Sequence, residues 1–381
     1  MLFSKRGRTA VLAFGLAACG SEPAAQTASS AAPSAPPPAH RLTTVAEGLS
    51  TPWSVAFVPD GSLLVTERAG RLRVIRDGRL EPDPVAGVPP VYAEGQGGLF
   101  DVALHPGFET NRLVYLAYAS GTSEENATRV ARARFDGKKL EDLEVIFEAS
   151  PKKATTAHFG GRLLFLPDAT LLVTLGDGFV HREKAQSLEA DFGKIVRIRD
   201  DGSIPDDNPF VGTDAARPEI YSFGHRNVQG IVRDPRSGRI YAHEHGPKGG
   251  DELNLLEPGK NYGWPVITHG RDYSGAIISP YTEKPGMEQP LVYWVPSIAP
   301  SGMTLYDGER FPEWRGDLLV SALAGTHVRR IDLEEGAVVG QQELFRDLGA
   351  RIRDVRTAPD GSLYLLTDGE GGRVIRVDPG A

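Results

Sequence analysis

The sequence predicts an all-β protein, a six-bladed β-propeller of four-stranded antiparallel blades. Three observations lead there. The first is a repeated unit: an apolar strand, a Pro-Asp-Gly type turn and a second apolar strand. Its clearest copies are VAFVPDGSLLVTERAGRLRVI from Val55 and VRTAPDGSLYLLTDGEGGRVIRV from Val355. RLLFLPDATLLVTLGDG from Arg162 is a third, and looser copies start at Val102, Gly230 and Met303. Six units over about 340 residues give a period of roughly 55, near the upper end of those that imply radial or solenoid arrays. The second observation is composition, because 44 Gly and 29 Pro in 381 residues favour many tight turns over long helices. The third is periodicity. Leu63-Leu64-Val65 and the stretch Arg71 to Ile75 have strand character and Asp60-Gly61 is a hairpin signal, whereas only Ala185 to Lys194 suggests a helical period. Short strands in fours, repeated radially, leave only short protected edges. A two-domain β-sandwich is the alternative.

In chain order, residues 1–18 read as a lipoprotein signal peptide, with Lys5, Arg6 and Arg8 ahead of an apolar run too short to span a bilayer. Leu16-Ala17-Ala18-Cys19-Gly20 resembles a bacterial lipobox, and Cys19 is the only cysteine, so no disulfide framework competes for it. Residues 19–39 are Ala, Ser and Pro rich, a disordered tether that cannot bury enough apolar area to fold. Residues 40–381 form the propeller domain. The expected location is the periplasm, lipid-anchored through Cys19, with Gly20 and Ser21 after the cysteine favouring the outer membrane. A formal charge of -8 gives no electrostatic reason to bind nucleic acid.

The chemistry-bearing residues gather at the starts of the repeats. Glu94-Gly95-Gln96-Gly97-Gly98 is a glycine-rich loop where the backbone can approach a flat ligand, or a plain turn between blades; it lacks the ending of a phosphate loop. His158-Phe159-Gly160-Gly161-Arg162 leads into the third repeat, and Asp177 returns across its hairpin. The pair can form a base and its orienting carboxylate, against the ordinary reading of a surface histidine. Arg226 and Asn227, in Gly224 to Gly230, offer a planar fork of donors and an amide, or a network linking blades. Arg351 and Arg353 share a strand face and imply a ligand with more than one carboxylate, unless Asp354 and its neighbours neutralise them. Tyr221 to Pro265 packs in polar groups so densely that it reads as the floor and one wall of a site. Its Glu244 to Glu252 turn offers hard oxygen ligands suited to calcium, while His243 and His245 are an alternative pair for zinc or iron.

Taken together, EGQGG, HFGGRL, SLEADFGKIVRI, IPDDNPF, GHRNVQG, EHGPKGGDELN, GKNYGWP and RIRDVRTAPDGSLYLLTD resemble the soluble PQQ-dependent aldose sugar dehydrogenases, from Leu42 to Val377. That family is a six-bladed propeller, in agreement with the repeat count. The resemblance implies oxidation of an aldose at C1 to the lactone, with hydride passing to C5 of pyrroloquinoline quinone (PQQ). By it, His158 would be the general base, Asp177 would hold its acceptor tautomer, and Arg226 would complete the catalytic set. Gln96, Arg226, Asn227, Tyr273, Arg351 and Arg353 would contact the quinone, whose three carboxylates suit the arginines. The carbonyls of Gly246 and Pro247 would bind a calcium ion (Ca2+) that touches the cofactor, and Glu252 with the Tyr262 carbonyl would bind a second. Two departures stand out: Ala324 replaces a cofactor-contacting lysine in blade five, and Ala157 replaces an aspartate beside the base. With no Cys-X-X-Cys-His haem motif, the electron acceptor is a separate molecule. Assembly is as a monomer or homodimer. The competing readings are a calcium lactonase-type hydrolase, with His158 activating water, and a catalytically silent binding propeller.

Overall fold

The computed structural model describes residues 37–380. The signal peptide, Cys19 and most of the tether lie outside them. Six four-stranded antiparallel sheets make up the fold, each in meander order. Blade one runs through Pro52–Phe57, Leu63–Glu67, Arg71–Arg76 and Arg79–Leu80, and blade two through Leu99–Leu104, Leu113–Gly121, Asn126–Phe135 and Leu140–Glu148. Blade three comprises Leu163–Phe165, Leu171–Thr174, Lys194–Ile198 and Ile220–Phe223, and blade four Val228–Arg233, Ile240–Glu244, Asp251–Leu256 and Val292–Trp294. Blade five holds Pro300–Leu305, Leu318–Ala322, His327–Glu334 and Ala337–Leu344. Blade six takes Ile352–Thr357, Leu363–Thr367 and Glu370–Pro379 from the end of the chain, and its outer strand, His40–Ser50, from the beginning. Pairing of His40 with Pro379 through Ser50 with Glu370 closes the ring. Among the described residues no helix is long and apolar enough to cross a membrane.

The turn between the first two strands of a blade is built the same way three times. In blade one Val58 and Ser62 close the turn, and Asp60 Oδ1 accepts from the Ser62 amide at 2.9 Å and from its hydroxyl at 2.6 Å. Asp360 does the same with Ser362, and Asp168 with Thr170. The residue after each aspartate has positive φ, 87° at Gly61, 81° at Gly361 and 61° at Ala169. The Pro-Asp-Gly signal is therefore one Asx turn used three times.

Strand faces packed on neighbouring blades carry the core. Trp53, Phe100, Phe159 and Leu163 pack in one cluster spanning blades one to three, and Trp294, Leu253, Met303 and Val320 in another spanning blades four and five. On the axis sits Arg162, 3% exposed. Its guanidinium donates to the Gln229 carbonyl at 2.7 Å and to the Ser301 carbonyl at 3.3 Å, pairs with Asp354 at 3.2 Å and Asp101 at 3.8 Å, and lies 4.0 Å from the Trp53 ring centroid. One side chain of blade three thus meets all five other blades.

The helical period expected over Ala185 to Lys194 is not realised. A short 3-10 helix covers Arg182–Gln186, and Lys194 begins a strand. The buried Lys194 Nζ folds back onto the carbonyls of Lys184 at 3.1 Å, Ala185 at 2.8 Å and Phe192 at 2.6 Å, tying the short helix to the strand that Lys194 opens.

Candidate active site

The loops that enter the inner strands lie together at one end of the channel. They carry Gln96, His158, Arg226, Asn227 and Arg351, one loop for each of blades two, three, four and six. His158 adopts φ 53°, a left-handed conformation unusual outside glycine. Close packing makes this possible, because a Cβ at Gly176 would overlap the His158 carbonyl.

His158 Nδ1 lies 2.6 Å from Asp177 Oδ1. Asp177 Oδ1 also accepts from the Phe179 amide at 2.7 Å, and its Oδ2 accepts from the Trp264 indole at 2.8 Å. The carboxylate is thereby held from three sides and in turn holds the imidazole, leaving Nε2 as the proton acceptor. Burial is the main influence that pulls His158 below its usual basicity; Arg226 and Lys153 act in the same direction and Asp177 opposes them. Burial also works against ionisation of Asp177, but the His158 hydrogen bond and charge, with Arg226, outweigh it and hold the carboxyl low. The result is an ionised carboxylate beside a neutral imidazole.

Gln96 reaches the backbone of the histidine loop. Its side-chain oxygen accepts from the His158 amide at 2.9 Å, and the Asn227 oxygen accepts from the Gly160 amide at 3.1 Å. Both clamp the loop that carries the histidine. Arg226 Nη1 donates to the carbonyls of His245 at 3.0 Å and Gly246 at 2.7 Å, and Nη2 approaches the Tyr273 hydroxyl at 3.5 Å. A cavity of about 270 Å3 opens there, lined by Phe179, Arg226, Pro247, Trp264, Asp272 and Tyr273 among others. The Phe179 ring stands edge-on to His158 with 5.2 Å between centroids and stacks on Tyr273 at 6.4 Å. Phe179 and Tyr273 are 47% and 59% exposed, so this wall is open to a ligand.

Arg351 and Arg353 both pair with Asp368, at 2.9 and 3.1 Å. Asp354, considered above as their neutralising partner, instead faces the axis and binds Arg162 and Arg356. Alternation explains this, since Asp354 lies on the opposite strand face from 351 and 353. Two guanidiniums therefore share one carboxylate, with Arg68 adding its own charge near Arg353. His245 joins the constellation: it lies within electrostatic reach of His158, Arg226 and Arg353, and burial first of all depresses its basicity to about 3.

His243 and His245 do not form a metal site. His245 Nε2 lies 2.7 Å from the Pro300 carbonyl, the His243 ring is enclosed against Gly230, and among the described residues no group of three or more His, Cys, Asp or Glu side chains is placed to share an ion. The Gly246 turn is a different kind of donor set. A Cβ at Gly246 would overlap the Gly250 carbonyl, so glycine is required there. Its carbonyl oxygen keeps a second lone pair beyond the Arg226 bond, and Pro247 lines the cavity. Hard oxygens of this kind fit calcium. Glu252 faces Glu244 across the sheet, and burial, then Glu244, push its carboxyl well above the usual range, a situation that a cation would relieve. Tyr262 is buried and stacks on His225, 4.7 Å between centroids.

The sequence reading gave four contributors no part in placing the base and the arginines. Trp264 lay in the conspicuous Asn-Tyr-Gly-Trp-Pro stretch without a role, and Asp368 was findable by counting the blade-six hairpin outward from its turn, which puts residue 368 opposite 351. Glu244 accepts from the Arg226 amide and lies 2.9 Å from His225 Nδ1, while Lys153 gave no signal at all. Ser222 and His225, 2.9 Å apart, complete with Glu244 the outline of a hydrolase triad. Ser222 and His225 are 0% exposed and Glu244 4%, so no substrate reaches them.

The model of the glucose/sorbosone dehydrogenase family matches residues 49–376. The chain belongs to this family. Aldose sugar dehydrogenase YliI of Escherichia coli is 43% identical over 337 residues, covering 87% of this chain and 91% of the relative. Among solved structures, a glucose dehydrogenase superposes with a TM-score of 0.86 at 47% identity, covering 90% of this chain and 99% of the other. The PQQ-bound aldose sugar dehydrogenase of Streptomyces coelicolor superposes with a TM-score of 0.73 at 30% identity, covering 90% and 99%. The protein is an oxidoreductase propeller of the glucose and aldose sugar dehydrogenase type.

Proposed function

We propose that this chain oxidises an aldose at its anomeric carbon to the lactone, with PQQ and calcium as cofactors and His158 as the base. The observation that carries the reading is the hydrogen-bonded series Trp264, Asp177, His158, set beside a cationic channel mouth. Arg226, Arg351 and Arg353 provide charges for the carboxylates of the quinone, and Gly246 and Pro247 provide carbonyls for calcium at the same place. When bound, the quinone accepts hydride and the calcium ion draws electron density from its reactive carbonyl. His158 Nε2 takes the proton from the anomeric hydroxyl, and the resulting imidazolium is stabilised by Asp177 at 2.6 Å. Arg226 fixes the cavity wall through the Gly246 carbonyl, and the exposed rings of Phe179 and Tyr273 suit the apolar face of a pyranose. Gln96 and Asn227 keep the His158 loop from relaxing. Relatives that carry the names aldose sugar dehydrogenase and PQQ-bound aldose sugar dehydrogenase support the same reading.

The reading extends to location: a lipid on Cys19 would hold the enzyme at the periplasmic face of the outer membrane, where a separate acceptor collects the electrons. Metabolic labelling with a radioactive fatty acid, lost in Cys19→Ala, checks this. For the activity, purified apoprotein is supplied with PQQ, calcium, an aldose and a reducible dye. Dye reduction that requires both additions and is abolished by a chelator is expected; absence of quinone binding overturns the proposal.

A further inference from the structure

We propose that Lys153 is a positioning residue for the base: its ammonium, lodged behind the His158 loop, fixes that loop and sets a positive charge on the flank of the imidazole. The inference rests on the reading of His158 as the base. Lys153 follows the last strand of blade two, Leu140–Glu148, and is tied to the start of the third, Asn126–Phe135, by backbone bonds with Asn126 at 2.8 and 2.9 Å. Its side chain then turns inward until the residue is only 6% exposed. Nζ donates to the Ala157 carbonyl, approaches the Thr155 carbonyl at 3.3 Å and hydroxyl at 3.4 Å, and sits 3.4 Å from the centroid of Phe159. These partners flank His158 on both sides in sequence. Thr155 in turn donates to the Gly178 carbonyl at 2.7 Å, joining the clamp to the residue after Asp177.

What sets Lys153 apart from an ordinary structural lysine is the absence of a paired carboxylate. Among the described residues no Asp or Glu oxygen lies within 4.0 Å of its Nζ, and Asp177 is the anion that acts on it. Asp191 lines the same small cavity but is engaged by Arg217 at 2.8 Å and by the Ser150 amide at 2.8 Å. Carbonyl oxygens and an aromatic face stabilise a cation without neutralising it. The charge is therefore felt by the imidazole, which Asp177 faces from one side while Arg226 and His245 face it from the others. Burial, the largest influence, brings the Lys153 ammonium down to about 7, so it is mostly charged at pH 6.5 and increasingly so below, the range in which His158 titrates. A cation on one flank disfavours imidazolium as Asp177 favours it, and the base stays available in mildly acid conditions.

The test is an NMR titration of the His158 ring in the apoprotein, its signals assigned by their loss in His158→Gln. Lys153→Met is expected to raise the His158 pKa by a few tenths of a unit, as loss of one of several nearby charges should. Lys153→Arg is expected to restore it. Lys153→Gln keeps a donor for the Ala157 carbonyl without the charge, so it serves if the methionine variant fails to fold, and the same rise is expected. In cofactor-loaded enzyme the acid limb of kcat/KM should move up with it. An unchanged or lower His158 pKa in a folded, uncharged variant, or no restoration by arginine, overturns the proposal. If the pKa moves as expected while wild-type protein loaded with PQQ and calcium is inactive, the dehydrogenase reading fails and the Lys153 coupling stands.

Discussion

Asp177 receives an imidazole on one oxygen and an indole on the other, so its carboxylate cannot rotate without breaking a bond. Asp177→Asn would present an amide N–H to one of two donors and release the histidine tautomer. Turnover should fall by at least about 100-fold with quinone affinity little changed, as a split between kcat and a quinone titration would report. The pH dependence has a definite sign. His158 is depressed below 6.5, mainly by burial, so it is neutral above its folded pKa and protonated below. Accordingly kcat/KM should be flat through neutrality and fall about tenfold per pH unit only on an acid limb lying below pH 6.5. Ala324 is exposed on the loop after the second strand of blade five, its amide donating to the Ile298 carbonyl at 3.0 Å. Ala324→Lys should tighten PQQ binding by about tenfold or more, since a charge-assisted hydrogen bond contributes about 1.5 kcal/mol or more; unchanged affinity would mean the loop does not face the cofactor. The His158 and Asp177 pair was legible in the sequence because a hairpin returns one residue beside the other. Lys153 was not, because its role depends on a side chain turned inward from an unpatterned loop.

The blade turns show what repetition makes legible and what it hides. Asp60, Asp168 and Asp360 were visible as punctuation, and each makes the same two hydrogen bonds. Blade three departs by placing Ala169 at φ 61° where blades one and six have glycine. A left-handed residue with a Cβ is strained, so Ala169→Gly should stabilise the protein by up to about 1 kcal/mol, read as a shift in urea midpoint at constant slope. A loss of stability would mean the extra freedom of glycine in the unfolded chain outweighs the relief. The segment Ala185 to Lys194 failed as a helix for a reason that sequence alone conceals. Its lysine is consumed by three carbonyls, and side-chain capping at a distance leaves no periodic trace.

Across the molecule, ring closure and the axis decide stability. The first described strand, His40–Ser50, completes blade six, so deleting it should expose the edge of Glu370–Pro379 and give aggregation-prone protein, seen by light scattering. Arg162→Met should cost about 1–3 kcal/mol, because the buried Gln229 and Ser301 carbonyls lose their donor while Asp101 and Asp354 keep Arg356 as their cation, measured as a lowered Tm. The six-fold count of repeats announced the propeller, but not that one arginine would bridge every blade, because convergence on an axis is a property of the closed ring. The same closure gathers His158, Arg226 and Arg353 from three blades around one mouth. The central claim is that His158 removes the proton from the sugar, and the direct measurement is turnover of His158→Ala loaded with PQQ and calcium to a verified stoichiometry. A loss of about 100-fold to 10,000-fold in kcat with intact quinone binding is the predicted result; normal turnover with intact quinone binding would contradict it.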